Sequence, residues 1–248
     1  MHISLAAEKI IEIGPIAITN AVLVTWIVIA ILGVVSLAIR STIKDVPGKL
    51  QNVFEFALEA IIEMIEGVTN DRKKALRFFP LVATLFLFII TSNWIGLLPG
   101  FETIGKWEIN HEGVKVLAPF FRPPASDLNT TLALAITSVM AIQIFGVISI
   151  GPGYFKKFFN FKGPIEFFVG VVEGISEFAK IISFSFRLFG NVFAGGVLLL
   201  VVTFLVPFVA ALPFYGLEIF VGFVQALVFA MLTTVFLQMA TIGHEEHE

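Results

Sequence analysis

One arginine, Arg187, lies in the middle of an apolar run that is long enough to cross a membrane. The run begins near Ile165 and continues to Pro207, so that about twenty mostly apolar residues flank Arg187 on each side. An arginine at the centre of a bilayer helix costs about 2.5–3.5 kcal/mol on insertion scales, and its guanidinium stays charged because its pKa exceeds about 12. The alternatives are snorkelling to a headgroup, which suits helix ends better, and a static ion pair. The sequence therefore predicts a functional arginine that needs a partner or an aqueous cavity.

Four other polar side chains share the helix face of Arg187. The five residues Glu173, Glu177, Lys180, Arg187 and Asn191 are separated by 4, 3, 7 and 4 positions, which keeps them within one broad face of a helix. Ionisable groups inside membrane segments typically mark ion or proton pathways. The spacing predicts a polar stripe on an apolar helix, with Glu173 and Glu177 nearest its beginning.

A second polar pair lies in the last apolar segment. Glu218 and Gln225 are seven residues apart, which is two helical turns, and they therefore lie on one face. Their types suit proton transfer and hydrogen bonding inside a membrane. Two alternatives remain open. Gln225 could form a hydrogen bond between helices, and Glu218 could simply lie at the interface close to a turn.

The composition is that of an integral membrane protein. Of the 248 residues, 57% are hydrophobic and 14% are charged, and the mean hydropathy is +0.95, whereas soluble domains carry about 25% charged residues. The absence of cysteine excludes disulfides and thiolate metal sites. The histidines at positions 2, 111, 244 and 247 have no metal-ligand spacing, so no metal or cofactor is expected. The N-terminus lacks the features of a removable signal peptide, and the first apolar segment is expected to remain as an anchor.

The predicted fold is all-α, with five membrane-embedded helices and one amphipathic interfacial helix in a single membrane domain, 1–248. The membrane segments are predicted over 21–39, 78–98, 128–150, 164–205 and 214–241, each long enough to cross about 30 Å of hydrocarbon. An N-terminal segment, 1–19, precedes them and a polar tail, 242–248, follows. Residues 47–68 have apolar positions at helical spacing and glutamates opposite, which indicates an amphipathic helix. Its acidic face favours contact with protein, and a solvated face is the alternative.

The distribution of lysine and arginine predicts the orientation. Residues 40–77 contain seven such residues and the linker 151–163 contains three, and five crossings place these two segments on one side. The opposite side has one in the N-terminal segment and three in a polar loop over 100–127. Because positive charge is enriched on the cytoplasmic side, the N-terminus is predicted outside and the C-terminus inside.

Four motifs together resemble subunit a of the rotary F-type ATP synthase. The first signature of that family is similar to the segment Phe186-Arg-Leu-Phe-Gly-Asn191, followed by Ala194-Gly. The second signature is similar to Gln225-Ala-x-x-Phe-x-Met-Leu-Thr-x-Val-Phe-Leu. Asn93-x-x-Gly-Leu-x-Pro and Pro124-Ala-Ser-Asp127-Leu-Asn-Thr-Thr add to the likeness, which covers roughly residues 78 to 241. On residue type alone, Asn93 could cap its helix or bond a neighbour, and Asp127 could be an N-cap.

The resemblance implies a stator subunit that provides two offset half-channels for protons to and from the carboxylates of a c-subunit ring, coupling ion flow to rotation and ATP synthesis. It implies no catalytic site in this chain. Arg187 would separate the half-channels, and the last two helices would form a tilted hairpin against the ring. Implied ion-path residues are Asn191, Glu218 and Gln225 in the outer half-channel, Asp127 in its vestibule, and Glu173 and Glu177 in the inner half-channel. Gly190, Gly195, Gly196 and Gly222 are predicted to permit close backbone approach between the last two helices, and Asn93 is a further candidate structural residue.

The chain departs from the family pattern at one place. An acid or histidine pair of the outer half-channel occupies the position nine residues after the arginine and the position seven residues before the glutamine. This chain has Gly196 at the first position and Glu218 at the second, so one carboxylate would act from the last helix. Whether the ion is H⁺ or Na⁺ stays open.

The expected partners are the c-subunit ring, the peripheral-stalk b subunits, the rest of the ATP synthase complex and membrane lipid, with no nucleic acid. The expected location is a bacterial-type inner (cell) membrane, crossed several times. The alternative function is a self-contained ion-coupled secondary transporter, which would usually show paired repeats with broken helices near the midplane. No such repeat is visible in the sequence. A membrane-embedded protease is disfavoured because His244-Glu-Glu-His247 has the wrong spacing for a zinc site.

Overall fold

The computed structural model describes residues 9–13, 16–44, 47–98, 100–101, 104–109, 115–158, 163–206 and 211–242. The polar tail predicted beyond residue 242 and the four histidines lie outside these ranges. The described helices are α1 (Asn20–Thr42), α2 (Lys49–Thr69), α3 (Arg72–Ile95), α4 (Leu128–Ile150), α5 (Pro164–Leu205) and α6 (Ala211–Thr241). A short 3₁₀ turn, Pro124–Ser126, precedes α4, and a 3₁₀ segment, Gly151–Lys157, follows it and is called the linker segment below.

Within the described ranges, five stretches are long and apolar enough to cross a membrane, and they confirm the predicted all-α membrane fold. They are Asn20–Ser41, Arg72–Ile95, Leu128–Phe155, Pro164–Leu205 and Ala211–Thr241. The remaining helix, α2, buries Ile61, Ile65 and Thr69 on one side and exposes its glutamate-rich side. It is therefore amphipathic, as its apolar spacing predicts.

The start of α3 differs from the expectation from sequence. The apolar segment begins at Phe78, but the helix begins at Arg72 because the carboxylate of Asp71 accepts hydrogen bonds from the backbone N–H groups of Lys73 (2.8 Å) and Lys74 (3.4 Å). A side-chain oxygen that satisfies these otherwise unpaired groups stabilises a helix N-terminus. The basic cluster thus forms the first turns of α3, and α2 and α3 meet at Asn70, which has a left-handed backbone (φ 51°).

Helix α6 is the central element of the bundle and contacts α2, α3, α4 and α5. Two groups of buried side chains hold these helices together. One joins α2, α3, α4, the linker segment and α6 through residues such as Ile65, Phe78, Ile142, Tyr154 and Leu237. The other joins α3, α4, α5 and α6 through residues such as Ile89, Ala135, Phe184, Leu188 and Phe229. Helix α1 packs on α3 and on the 3₁₀ turn but exposes most of its apolar surface, as expected of a helix that faces lipid.

Two β-hairpins lie at one end of the bundle, where the sequence analysis expected irregular segments. Strand β1 (Lys9–Ile13) pairs antiparallel with β2 (Ile16–Thr19), and β3 (Gly105–Ile109) pairs antiparallel with β4 (Lys115–Pro119). The side-chain amide of Asn20, at the start of α1, donates to the carbonyl of Pro119 (3.1 Å) and ties the two hairpins together. Both lie at the end of the bundle that contains the last turn of α3 and the first turn of α4.

Candidate functional site

Arg187 lies on the outer surface of the bundle, near the middle of α5. Its flanking side chains divide into two sets: Phe184 and Leu188 are buried in the core, whereas Phe186 is 56% exposed. The guanidinium Nη2 donates to Ser183 Oγ one turn earlier (3.2 Å). Since α5 buries its other face, Arg187 presents a permanent charge outward at mid-span. A group of this kind requires water or an anionic partner beside it.

The carboxylate of Glu218, on α6, lies directly against the backbone of Gly195, on α5. A methyl group added at Gly195 would overlap this carboxylate, so a larger residue fits here only if the end of the Glu218 side chain moves. Gly195 follows Arg187 by eight residues, which corresponds to about 12 Å along the helix. The structure thus brings one carboxylate to the α5–α6 contact on the C-terminal side of the arginine.

The turn of α6 that carries Glu218 is held by α3. The amide of Asn93 donates to the carbonyl of Gly222 (3.1 Å), and the indole N–H of Trp94 donates to the carbonyl of Ile219 (3.1 Å). A Cβ atom at Gly222 would lie 3.2 Å from Asn93 Cβ, so α3 and α6 approach closely there. Asn93 therefore bonds a neighbouring helix, one of the two alternatives that its sequence position left open.

Unused hydrogen-bonding capacity remains at this α3–α6 contact. Gln225 is buried one turn beyond Gly222, and its Nε2 has no hydrogen-bond partner among the described residues. The same holds for Ser92 Oγ and Asn93 Oδ1. Buried polar atoms without partners cost about 1–3 kcal/mol each. These three side chains therefore form a small polar region inside an otherwise apolar part of the bundle.

Asp127 is the N-cap of α4 and is buried. Its Oδ1 accepts a hydrogen bond from the backbone N–H of Asn129 (3.2 Å), and Thr130 Oγ1 donates to its Oδ2 (3.5 Å). Within the described part of the chain, no hydrogen bond joins it to Asn191, Glu218 or Gln225. Asn191 lies on α5 one turn beyond Arg187 and is half-buried. The structure therefore gives Asp127 a capping role.

On the N-terminal side of Arg187, Glu177 is the centre of a dense polar network. Its Oε1 accepts from Lys180 Nζ (2.9 Å) and Lys157 Nζ (3.2 Å), and its Oε2 accepts from Gln143 Nε2 (2.8 Å). Glu173, one turn earlier, pairs with Lys157 alone among the described residues, at 3.5 Å. The network joins α4, the linker segment and α5.

The linker segment fits closely between α4 and α5, and this fit positions Lys157. The ring of Tyr154 lies against Gly146, where a methyl group would overlap it, and its hydroxyl donates to Gln143 Oε1 (2.7 Å). Burial lowers the pKa of Lys157, but Tyr154 and the charge of Glu177 outweigh it and raise that pKa above its ordinary value. Lys157 is therefore charged at any physiological pH.

Sequence reasoning did not select Gln143, Tyr154, Lys157 or Trp94 as site residues. Gln143 could have been found from the sequence, because it is a polar residue within the apolar segment 128–150. Lys157 contributed only to the charge count of its loop. Of the glycines predicted to allow close helix approach, Gly195 and Gly222 lie at such contacts. At Gly190 and Gly196 an added Cβ would meet no atom of the described chain within 4 Å.

Comparison with known proteins identifies similar chains over nearly the whole length. The family model described as ATP synthase A chain matches residues 22–238. A protein named ATP synthase subunit a from Geotalea daltonii is 35% identical over 222 residues, which cover 88% of this chain and 86% of the relative. Proteins of the same name from Moorella thermoacetica (34% over 238 residues, 95% of this chain and 97% of the relative) and Campylobacter jejuni (34% over 217 residues, 86% of each) are also similar.

Proposed function

This chain belongs to the ATP synthase A chain family, and we propose that it forms the stationary, ion-translocating half of the rotary motor. As a member of the family it is a multi-pass membrane component of the ATP synthase complex. In the proposed mechanism it offers protons two offset half-channels, which lead to and from carboxylates on a c-subunit ring. Rotation of that ring, against a stator that includes the peripheral-stalk b subunits, couples ion flow to ATP synthesis.

The outward-facing Arg187 is the observation that carries this proposal. A charged group on the exposed surface of a membrane helix is costly against lipid, whereas a ring carboxylate would neutralise it. Its permanent charge favours the ionised carboxylate as that group passes, and it blocks direct leakage between the half-channels. Lysine would serve poorly, because its pKa falls on burial and it lacks the planar fork of guanidinium.

The outer half-channel is assigned to Asn191, Glu218 and Gln225, with Asp127 near its mouth. Glu218 supplies the proton-binding carboxylate, and the unused amide donor of Gln225 makes the interior beside it polar. An entering proton passes from Glu218 toward the ring carboxylate near Asn191 and neutralises it. The neutral group can then turn into the lipid, because it no longer carries a charge.

The inner half-channel is assigned to the region of Glu173 and Glu177. Glu173 precedes Arg187 by fourteen residues, or about 21 Å along α5, while Gly195, beneath Glu218, lies about 12 Å beyond it on the other side. The two groups of carboxylates are thus offset along the helix with the arginine between them. A membrane potential supplies about 2.3 kcal/mol per charge per 100 mV to drive the transfer.

The test is ATP-driven acidification of inverted membrane vesicles that contain Arg187→Ala or Arg187→Lys. We expect both variants to lose proton pumping. The lysine variant should retain at most about a tenth of normal activity, which corresponds to a rise of about 1.4 kcal/mol in the activation free energy. ATP hydrolysis and co-purification with the c-subunit ring should persist. Arg40→Ala, at the exposed end of α1, is the matched control and should pump normally. Normal pumping by Arg187→Ala would contradict the mechanism, and a purified chain that transports ions without a ring would favour a self-contained transporter.

A further inference from the structure

The two carboxylates of the inner group have different surroundings. Glu177 accepts from three side chains, two of them cationic, and its side chain is only 12% exposed. The side chain of Glu173 is 42% exposed, and among the described residues it forms only the longer 3.5 Å pair with Lys157. Protonation of Glu177 would weaken two ion pairs in a largely buried place and leave Lys180 there without its counter-charge, which is costly. Protonation of Glu173 would weaken one pair that solvent already reaches.

From this difference we propose that Lys157 is a positioning residue of the inner half-channel. It locks Glu177 as a fixed anion and leaves Glu173 as the one of the two carboxylates that exchanges protons. The inference rests on the proposed function and divides the roles that the resemblance assigned jointly to Glu173 and Glu177.

The linker segment, rather than α5, determines where the ammonium group of Lys157 lies. The Nζ atom is 4.4 Å from the ring centre of Tyr154 and 4.6 Å from that of Phe158, distances at which aromatic faces attract a cation. The carbonyl of Phe158 in turn lies against Gly170 of α5, where a Cβ would overlap it. Lys157 is therefore held over α5 at the level of Glu173 and Glu177.

The other lysine of the network provides a comparison within the same site. Lys180 lies on α5, pairs with Glu177 at 2.9 Å, and rests 4.5 Å from the ring centre of Phe236 on α6. Among the described residues, only Lys157 pairs with both carboxylates. The titratable groups that face Glu177 are thus Lys157, Lys180, Glu173 and Tyr154, with Gln143 as the neutral donor. Loss of Lys157 removes the cation that pairs with Glu173, whereas loss of Lys180 removes a cation that pairs with Glu177.

The experiment uses inverted vesicles that contain the whole complex, because their medium bathes the inner half-channel. The ratio of ATP-driven proton pumping to ATP hydrolysis is measured as a function of medium pH for Lys157→Met, Lys157→Arg, Lys180→Met and the unmodified protein. We expect Lys157→Met to move the midpoint of this profile to higher pH by about 0.5–1 unit, because a carboxylate without its neighbouring cation holds a proton to higher pH. Lys157→Arg and Lys180→Met should keep the original midpoint.

Several outcomes would overturn the proposal. One is an unchanged profile in Lys157→Met, and another is the same shift in Lys180→Met. If Lys157→Met does not assemble, the test uses Glu173→Gln and Glu177→Gln instead. Glu173→Gln should remove the dependence of the pumping-to-hydrolysis ratio on medium pH, and Glu177→Gln should retain it. The reverse result would assign proton exchange to Glu177. Arg187→Ala is measured in parallel. Normal pumping by Arg187→Ala would mean that the proposed function itself fails, whereas loss of its pumping would confine the failure to the role of Lys157.

Discussion

At the scale of single residues, the contact between Gly195 and Glu218 makes a direct prediction about pumping. Gly195→Ala would introduce a methyl group where the carboxylate now lies, and the flexible end of the Glu218 side chain would have to move aside. Because the carboxylate must move, we expect proton pumping in inverted vesicles to fall about tenfold, while ATP hydrolysis persists. Gly67→Ala on α2 is the control, since an added Cβ meets nothing there. Equal pumping by the two variants would show that Glu218 does not depend on this contact.

Residue types in the sequence predicted several of the groups that the structure brings together, but not their pairing. Arg187 was selected because a charge in an apolar run is costly, and Glu218 because it lies two turns before Gln225. Neither argument could place Glu218 on Gly195, since that contact depends on how α5 and α6 pack. Lys157 is separated from Glu173 by 16 residues and a change of helix, so no local spacing connects them. Asp127 is the reverse case, because its local N-cap pattern was readable and the structure has that cap.

At the scale of elements, α3 anchors the part of α6 that carries Glu218. Trp94→Phe would keep an aromatic ring, although a smaller one, and would remove the indole N–H that donates to the carbonyl of Ile219. Hydrogen bonds between membrane helices contribute about 0.6 kcal/mol on average and up to about 1.7 kcal/mol. We therefore expect the melting temperature of the purified complex to fall by about 1–3 °C. Trp26→Phe on α1, where the indole is exposed, should lower the melting temperature less. Equal decreases for the two variants would show that the Trp94 hydrogen bond does not anchor α6.

The helices were more predictable than the segments that connect them. Apolar length alone indicates a membrane helix, because unpaired backbone groups are not tolerated in hydrocarbon. The β-hairpins were missed because strand pairing joins residues that are distant in sequence, such as Lys106 and Ala118. The alternation of polar and apolar residues in β3 covers only residues 106–109, and β4 has none. The true start of α3 was missed for a different reason. It depends on a cap at Asp71, which belongs to the polar stretch before the apolar run.

At the scale of the whole molecule, the charge distribution and the five membrane helices make a prediction about orientation. The α2–α3 turn and the linker segment should lie in the cytoplasm, because their side of the membrane has ten lysines and arginines against four on the other. The chain has no cysteine, so single cysteines introduced at exposed sites can report the side directly. Asn70 in the α2–α3 turn and Gly153 in the linker segment test the inner side, and Ile104, 57% exposed beside β3, tests the outer side.

With a membrane-impermeant maleimide, we expect Asn70→Cys and Gly153→Cys to label in inverted vesicles, and Ile104→Cys to label only in right-side-out vesicles. Labelling of residues 70 and 153 from one side and of residue 104 from the other is the stringent result, because it requires both α3 and α4 to cross. The opposite pattern would reverse the orientation and exchange the inner and outer half-channels. Labelling of residues 70 and 104 from the same side would mean that α3 does not cross. In that case the five-crossing topology, and the orientation derived from it, would be wrong.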